Sequence, residues 1–270
     1  MKFLHTRSDD GTKLRLARWN EEGERNILLI HGLAEHLGRY DHIGAFFAEK
    51  GWRVTALELR GHGESEGARG HTDAWARYTE DVQAAMGTIG KEMTIVAHSM
   101  GGLIALTTLM QPLAPKVRSV VLSNPLIGLF GSEPKVKIFI GKIASRLAPK
   151  LRLPTDLDPS HVCRDPEVVQ KYIDDPLIFS GITARWAAEM LKAQEATLNY
   201  AGNYTLPLNL LLGSEDKICD PDVSKEFAAN YGGEIQTDVF PPCFHELFNE
   251  PEKFDILTKT EAWIQGTWAE

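Results

Sequence analysis

The chain has 270 residues, 43% of them apolar and 24% charged, which suits one sizeable globular core and excludes a disordered or collagen-like chain. Its 29 basic and 37 acidic residues leave a net charge of −8, which argues against binding along a phosphate backbone, so no nucleic-acid partner is expected. The first residues carry charge from Lys2 onward without the apolar stretch of a leader, and no run reaches the roughly 18 apolar residues of a membrane span, so the expected location is cytoplasmic.

In chain order, "KFLHTRSDDGTKLRLARW" sets Asp10-Gly11 between two strand-like runs and predicts a hairpin at an antiparallel sheet edge. There follow a strand over 26–32, a helix near 39–50, a strand over 52–59, a helix near 73–89, a strand over 93–99, a helix from about 101 and a strand over 117–125. Strands alternating with helices mean an α/β fold with a mainly parallel sheet and helices on both faces. The strand runs are apolar with little alternation, as strands buried on both sides should be. The rhythm breaks after Pro125 and resumes with a strand over 206–216, a helix from 221, a strand near 234–240 and a last helix past Phe248. Residues 1–125 and 206–270 therefore form the expected core, and 126–205 a mostly helical insertion punctuated by prolines. An insertion leaving the carboxyl ends of the strands would sit over the place where such sheets bind ligands, as a lid.

The stretch "TIVAHSMGGLIAL" at 94–106 places Ser99 between a predicted strand and a predicted helix. Small residues two before and two after it, Ala97 and Gly101, fit a nucleophile elbow, in which a strained turn lifts a hydroxyl above the sheet. The usual pattern has glycine at the first of these places, so Ala97 is a conservative departure. A serine needs an adjacent base, and the base needs a third group to orient it. In this architecture the chain order is serine, acid, histidine. Of nine histidines only His161 and His245 follow Ser99, and only His245 follows the strand that should carry the acid. Beyond that strand, "GSEDKICD" supplies Glu215, Asp216 and Asp220, which spacing alone does not separate. Asp216 lies in reach of a turn begun by Gly213, whereas Asp220 suits the N-cap of a helix opening at Pro221; catalysis is assigned to the first and capping to the second. Oxyanion donors fall on the amides of Met100, after the nucleophile, and Leu33, in "HGLAEH". His31 and His36 come without a zinc-spaced ligand set, and Cys163, Cys219 and Cys243 are an odd number without a CxxC, so neither a metal nor a disulfide framework is expected; a serine hydrolase needs no cofactor.

Together, "HGLAEHLGRY" (31–40), "LRGHGESEG" (59–67), "AHSMGG" (97–102) and "GSEDKICD" (213–220) resemble the monoacylglycerol lipase and lysophospholipase branch of the α/β-hydrolase family. "LDPSHVCRDPEVVQKYIDDPL" at 157–177 is similar to the cap segment of its bacterial members. The resemblance implies the α/β-hydrolase fold, Ser99, Asp216 and His245 as the triad, and Leu33 and Met100 as oxyanion donors. It further implies that Glu35 and Arg39 lie near a head-group pocket, with a salt bridge or helix cap as the alternative, and that Cys219 lines the site. The implied substrate is a small lipid ester with one acyl chain, best monoacylglycerol, with lysophospholipids or a broad range of carboxylic esters as alternatives. A non-enzymatic ligand-binding module of the same fold is the rival from another class. Two departures stand out: Phe248 occupies the place of a second histidine found in many members, and Glu58 stands where an aspartate is frequent. From Lys135 to Arg152 there are six basic residues and no acidic one, with Val136, Phe139, Ile140, Ile143, Leu147 and Leu151 at helical spacing. That pattern suits a helix lying on a lipid surface, making the insertion a candidate for membrane-surface contact; packing on the domain is the alternative.

Overall fold

In the computed structural model, which describes residues 1–111, 117–131, 144–155 and 157–269, the expected hairpin forms at one sheet edge: β1 (Lys2–Arg7) pairs antiparallel with β2 (Lys13–Trp19). Next to β2 comes β4 (Arg53–Leu57), also antiparallel to it, and from there every pairing is parallel. The parallel strands are β3 (Asn26–Ile30), β4, β5 (Met93–His98), β6 (Val117–Ser123), β9 (Leu208–Gly213) and β10 (Ile235–Phe240), and the full order is β1-β2-β4-β3-β5-β6-β9-β10. β3, β5 and β9 are buried at every residue, which is why their sequences read as continuous apolar runs.

Successive strand residues point to opposite faces, and the core divides accordingly. Leu28, Ile30, Ile95, Ala97, Leu210 and Leu212 pack into one apolar cluster with α2 (Ala76–Ile89) and α3 (Met100–Leu109). Ile27, Leu29, Val96 and Leu211 join the other, beneath α1 (Asp41–Glu49) and the carboxyl-terminal helix Lys253–Ala269. The helix expected near 39–50 opens as a 3₁₀ turn at Leu37–Tyr40 before α1 begins.

Between β6 and β9 the described residues hold a helical turn at 144–147, β7 (Arg152–Leu153), α4 (Pro166–Asp174), β8 (Ile182–Thr183) and α5 (Ala184–Tyr200). β7 and β8 pair as a two-residue antiparallel ribbon, too short to register as a β-rich run. Pro166 opens α4 behind Asp165, whose carboxylate accepts from the Glu167 amide. Trp186, Met190 and Ala193 of α5 pack into the same apolar cluster as α3. The basic stretch from Lys135 lies outside the described residues as far as Ile143. After β9 come α6 (Pro221–Ala229), β10 and α7, the carboxyl-terminal helix already placed. No helix among the described residues is long and apolar enough to cross a membrane.

Polar stitches hold this segment to the sheet. His36 pairs with Asp175 at 2.7 Å, Arg164 with Glu250 at 2.9 Å, and the Trp186 indole donates to Tyr78 at 3.0 Å. At the strand-to-helix junction before α3, a Cβ on Gly101 would stand 2.5 Å from the Ile30 carbonyl oxygen and 2.6 Å from that of His31. Neither backbone can yield without moving β3. Gly101→Ala should therefore lower the unfolding free energy by about 1–3 kcal/mol in urea denaturation, the usual size of an overpacking penalty.

Candidate active site

Ser99 sits between β5 and α3 at φ 51° and ψ −118°, a conformation that L-residues hold at a cost of about 1–3 kcal/mol. The surroundings enforce it. Its N–H donates to the Ser123 carbonyl at 3.0 Å, and its own carbonyl accepts from Gly102 and Leu126, each at 2.9 Å. Ala97 packs its methyl group into the core. Met100 is the first residue of α3, so its amide has no intrahelical acceptor, and Leu33 lines the same cavity as Ser99.

His245, in the loop after β10, and Asp216, in the loop after β9, meet at 2.7 Å between Nδ1 and Oδ2, with both side chains buried. Because a carboxylate accepts, Nδ1 carries the hydrogen; the remaining ring nitrogen, Nε2, is then free to take a proton. The other carboxylate oxygen, Oδ1, accepts from the Ile218 amide at 2.8 Å and the Cys219 amide at 3.0 Å, which fixes the carboxylate plane. Burial is the largest influence on the His245 imidazole and depresses it, but the Asp216 charge and hydrogen bond, joined by the Glu246 and Glu35 charges, together outweigh it and raise it above the ordinary 6.5. Asp220 caps α6 by accepting from the Asp222 amide, and Glu215 is exposed.

Asn124, which sequence reading passed over, ties these loops together. It lies at φ 42° beyond β6 and its amide nitrogen donates to the His245 carbonyl at 2.6 Å. Its Oδ1 accepts from the Gly213 amide at 2.9 Å, at the end of the strand that carries Asp216. The signal was present in "SNP": asparagine tolerates positive φ, and one standing just before a proline at a strand end is a turn residue with two hydrogen-bonding arms.

A cavity of about 390 Å³ opens above Ser99 and His245. Its polar end is formed by Glu35, His98, Glu246 and Tyr172, and its apolar side by groups such as Leu126, Ile182, Trp186 and Met190. Arg39 stands behind this end: Nη1 bonds Glu35 at 3.0 Å, and Nη1 and Nη2 grip Glu246 at 2.6 and 2.7 Å. Sequence reading does not single out Glu246, because a residue beside a loop histidine carries no pattern of its own and the burial of Arg39 shows only in the structure. Cys219, expected to line the site, is buried and is not among the residues lining the cavity; burial together with the Asp216 charge pushes its thiol well up. Phe248 is a core aromatic, and its carbonyl accepts from His42 at 2.7 Å. Glu58 holds two loops by accepting from the Leu37 and Glu64 amides. Among the described residues three groups of donor atoms lie within 4.8 Å of one another: Asp216/Cys219/His245, Glu35/His98/Glu246 and, outside the cavity lining, Cys243/Glu250/Glu252, whose members all bond Arg164. In the first, the Asp216 oxygens are engaged by backbone amides and by His245, and in the second the Arg39 guanidinium takes the place a cation would fill.

The arrangement can take a proton from a hydroxyl lifted on a strained turn and hold the resulting imidazolium against a carboxylate. Fluorophosphonate labelling of Ser99 should slow about tenfold or more in Asn124→Ala, since loss of that amide frees the His245 loop to drift from the reacting position. The comparisons with known proteins agree with the fold. The sequence is 30% identical over 264 residues to an uncharacterized abhydrolase domain-containing protein of Dictyostelium discoideum, covering 96% of this chain and 28% of that much longer protein. It is 31% identical over 245 residues to the monoacylglycerol lipase of Mycolicibacterium smegmatis, covering 88% of this chain and 87% of the relative. The crystal structure of Paleococcus ferrophilus monoacylglycerol lipase superposes with a TM-score of 0.85 at 27% identity, covering 94% of this chain and 99% of that one. The Hydrolase_4 family model, described as serine aminopeptidase, S33, matches residues 21–252, and on that match this chain belongs to the Hydrolase_4 family, within the α/β-hydrolase fold.

Proposed function

We propose that this protein is a serine hydrolase that cleaves carboxylic esters of lipids bearing a single acyl chain, with monoacylglycerol, released as glycerol and fatty acid, as the substrate class. The observation that carries this reading is the buried Asp216–His245 pair beside Ser99 on its strained turn, all at one cavity with an apolar side and a polar end. In the mechanism, Nε2 of His245 removes the Ser99 proton as Oγ attacks the ester carbonyl. The carbonyl oxygen becomes an oxyanion facing the Leu33 and Met100 amides. As the tetrahedral intermediate collapses, the imidazolium returns the proton to the departing alkoxide, leaving an acyl-enzyme. Water, deprotonated by the same imidazole, then releases the fatty acid. Asp216 accepts the Nδ1 hydrogen throughout.

Esters are favoured over peptides with a free amino terminus because both carboxylates at the polar end are already bonded to Arg39, Glu246 by both prongs and Glu35 by Nη1. The mouth of the cavity adds a second element to the reading. Leu129 and Phe130 line it and are exposed, and Leu147 is 82% exposed on the turn that carries Arg146. An exposed apolar rim beside basic residues suits contact with an anionic lipid surface, from which a single-chain lipid could enter.

Purified protein should release fatty acid from monoacylglycerol faster than from lysophosphatidylcholine, short p-nitrophenyl esters or aminoacyl anilides. Ser99→Ala should lose essentially all of that activity together with its fluorophosphonate adduct; an intact protein that takes up no adduct favours the binding-module alternative. Since His245 is raised above 6.5 and only its neutral form accepts a proton, kcat/KM should rise with pH through a midpoint above 6.5. Charge reversal of Lys142 and Arg146 should weaken sedimentation with anionic vesicles, and unchanged binding would dispose of the surface contact.

A further inference from the structure

His245 stands in a loop outside any strand or helix, so its place depends on what the neighbouring peptide groups bond to. The carbonyls answer to the end of the sheet. Those of Phe244 and His245 accept from the Asn124 amide at 3.2 and 2.6 Å, and that of Cys243 accepts from the Glu215 amide at 3.0 Å. A Cβ on Gly213 would stand 2.2 Å from the Phe244 carbonyl oxygen, so the loop is pressed against the end of β9.

The amides on either side of the imidazole have other partners. The Glu246 N–H donates to the Val162 carbonyl at 2.7 Å. The Phe244 N–H donates to Oε1 of Glu250 at 2.6 Å, and Oε2 of the same carboxylate accepts from the Arg164 amide at 3.2 Å and from Arg164 Nε at 2.9 Å. Both amides flanking His245 are thus satisfied through one stretch of the segment between β6 and β9, residues 162–164. Glu250 itself is fully buried, between a 3₁₀ turn (Leu247–Asn249) and α7, and its carbonyl accepts from the Lys253 amide at 3.1 Å. Leu247, Phe248, Ile256 and Leu257 root that turn and helix in the core, which makes the carboxylate a fixed post. A glutamine here could accept from Phe244 with its oxygen, but its other arm donates, and Arg164 offers only donors. The second carboxylate oxygen therefore serves the link to Arg164.

We propose that Glu250 is a positioning residue for His245, through which the stretch 162–164 sets where the imidazole stands at the cavity. This deepens the hydrolase reading and rests on it. Val162 lines the cavity, so an acyl group seated there bears on the same stretch that orders the base. A displacement of 162–164 reaches the imidazole from both sides, through the Val162 carbonyl at Glu246 and through Arg164 and Glu250 at Phe244.

Fluorophosphonate labelling, ester turnover and a proton resonance test this. Glu250→Gln, which keeps an acceptor for Phe244 but opposes Arg164, should label about tenfold or more slowly than wild type, and kcat for monoacylglycerol should fall in step while KM stays within about twofold. Arg164→Ala should do the same, and the double variant should be no more than about threefold slower than the slower single one, since both changes break one link. In the wild type the proton between His245 and Asp216 should give a far-downfield resonance that broadens in both folded variants at the same pH, which a loss of stability alone would not cause. Wild-type labelling in either folded variant, rate losses that multiply in the double variant, or an unbroadened resonance overturns the proposal. If Glu250→Gln does not fold, Arg164→Ala alone decides. A wild type that labels but frees no fatty acid from monoacylglycerol counts against the substrate reading and leaves Glu250 in its role. One that takes no label counts against the hydrolase reading, and the resonance then decides the role of Glu250.

Discussion

The site depends on one buried hydrogen bond, Asp216 Oδ2 to His245 Nδ1 at 2.7 Å. It fixes the tautomer of the imidazole, and with it the nitrogen that is free to accept a proton. It works only if the carboxylate cannot turn, which is why the second oxygen is held by the amides of residues 218 and 219. Ionised groups taken out of water need such partners. A carboxylate free to turn would lose the alignment that holds the imidazole.

The sheet makes that bond available by delivering loops to one end. β3, β5, β6, β9 and β10 run parallel, so Glu35, Ser99, Asn124, Asp216 and His245 all emerge at carboxyl ends of strands. Asn124 converts this proximity into a fixed geometry by bonding the end of one strand and the loop of another. The strain at Ser99 is tolerated because its backbone is bonded on both sides and a glycine two residues later lets α3 press against β3. Local cost and tertiary support are parts of one design.

The segment between β6 and β9 belongs to the same network. Arg164 bonds Glu250, whose other oxygen accepts from the Phe244 amide at 2.6 Å, next to His245. Val162 accepts from the Glu246 amide at 2.7 Å, and His36 reaches Asp175. The walls of the cavity and the loop bearing the imidazole are therefore anchored to common points, and a shift in one is felt by the other.

By itself the sequence determined the strand and helix order, the parallel sheet and the residues on the elbow, because buried strands, helix caps and a crowded turn each leave a local pattern. The turn at Ser99 and the meeting of Asp216 with His245 were expected from that order, and Asp220 was legible as a cap. Only the tertiary structure decided which partners the buried charges take. Arg39 closes on Glu246 across 207 residues, His98 faces Glu35, Asn124 reaches two loops, and Trp186 of the insertion enters the main core. Such pairings follow from how loops converge in space and from the need of every desolvated polar group for a partner, and neither leaves a spacing that can be read along the chain.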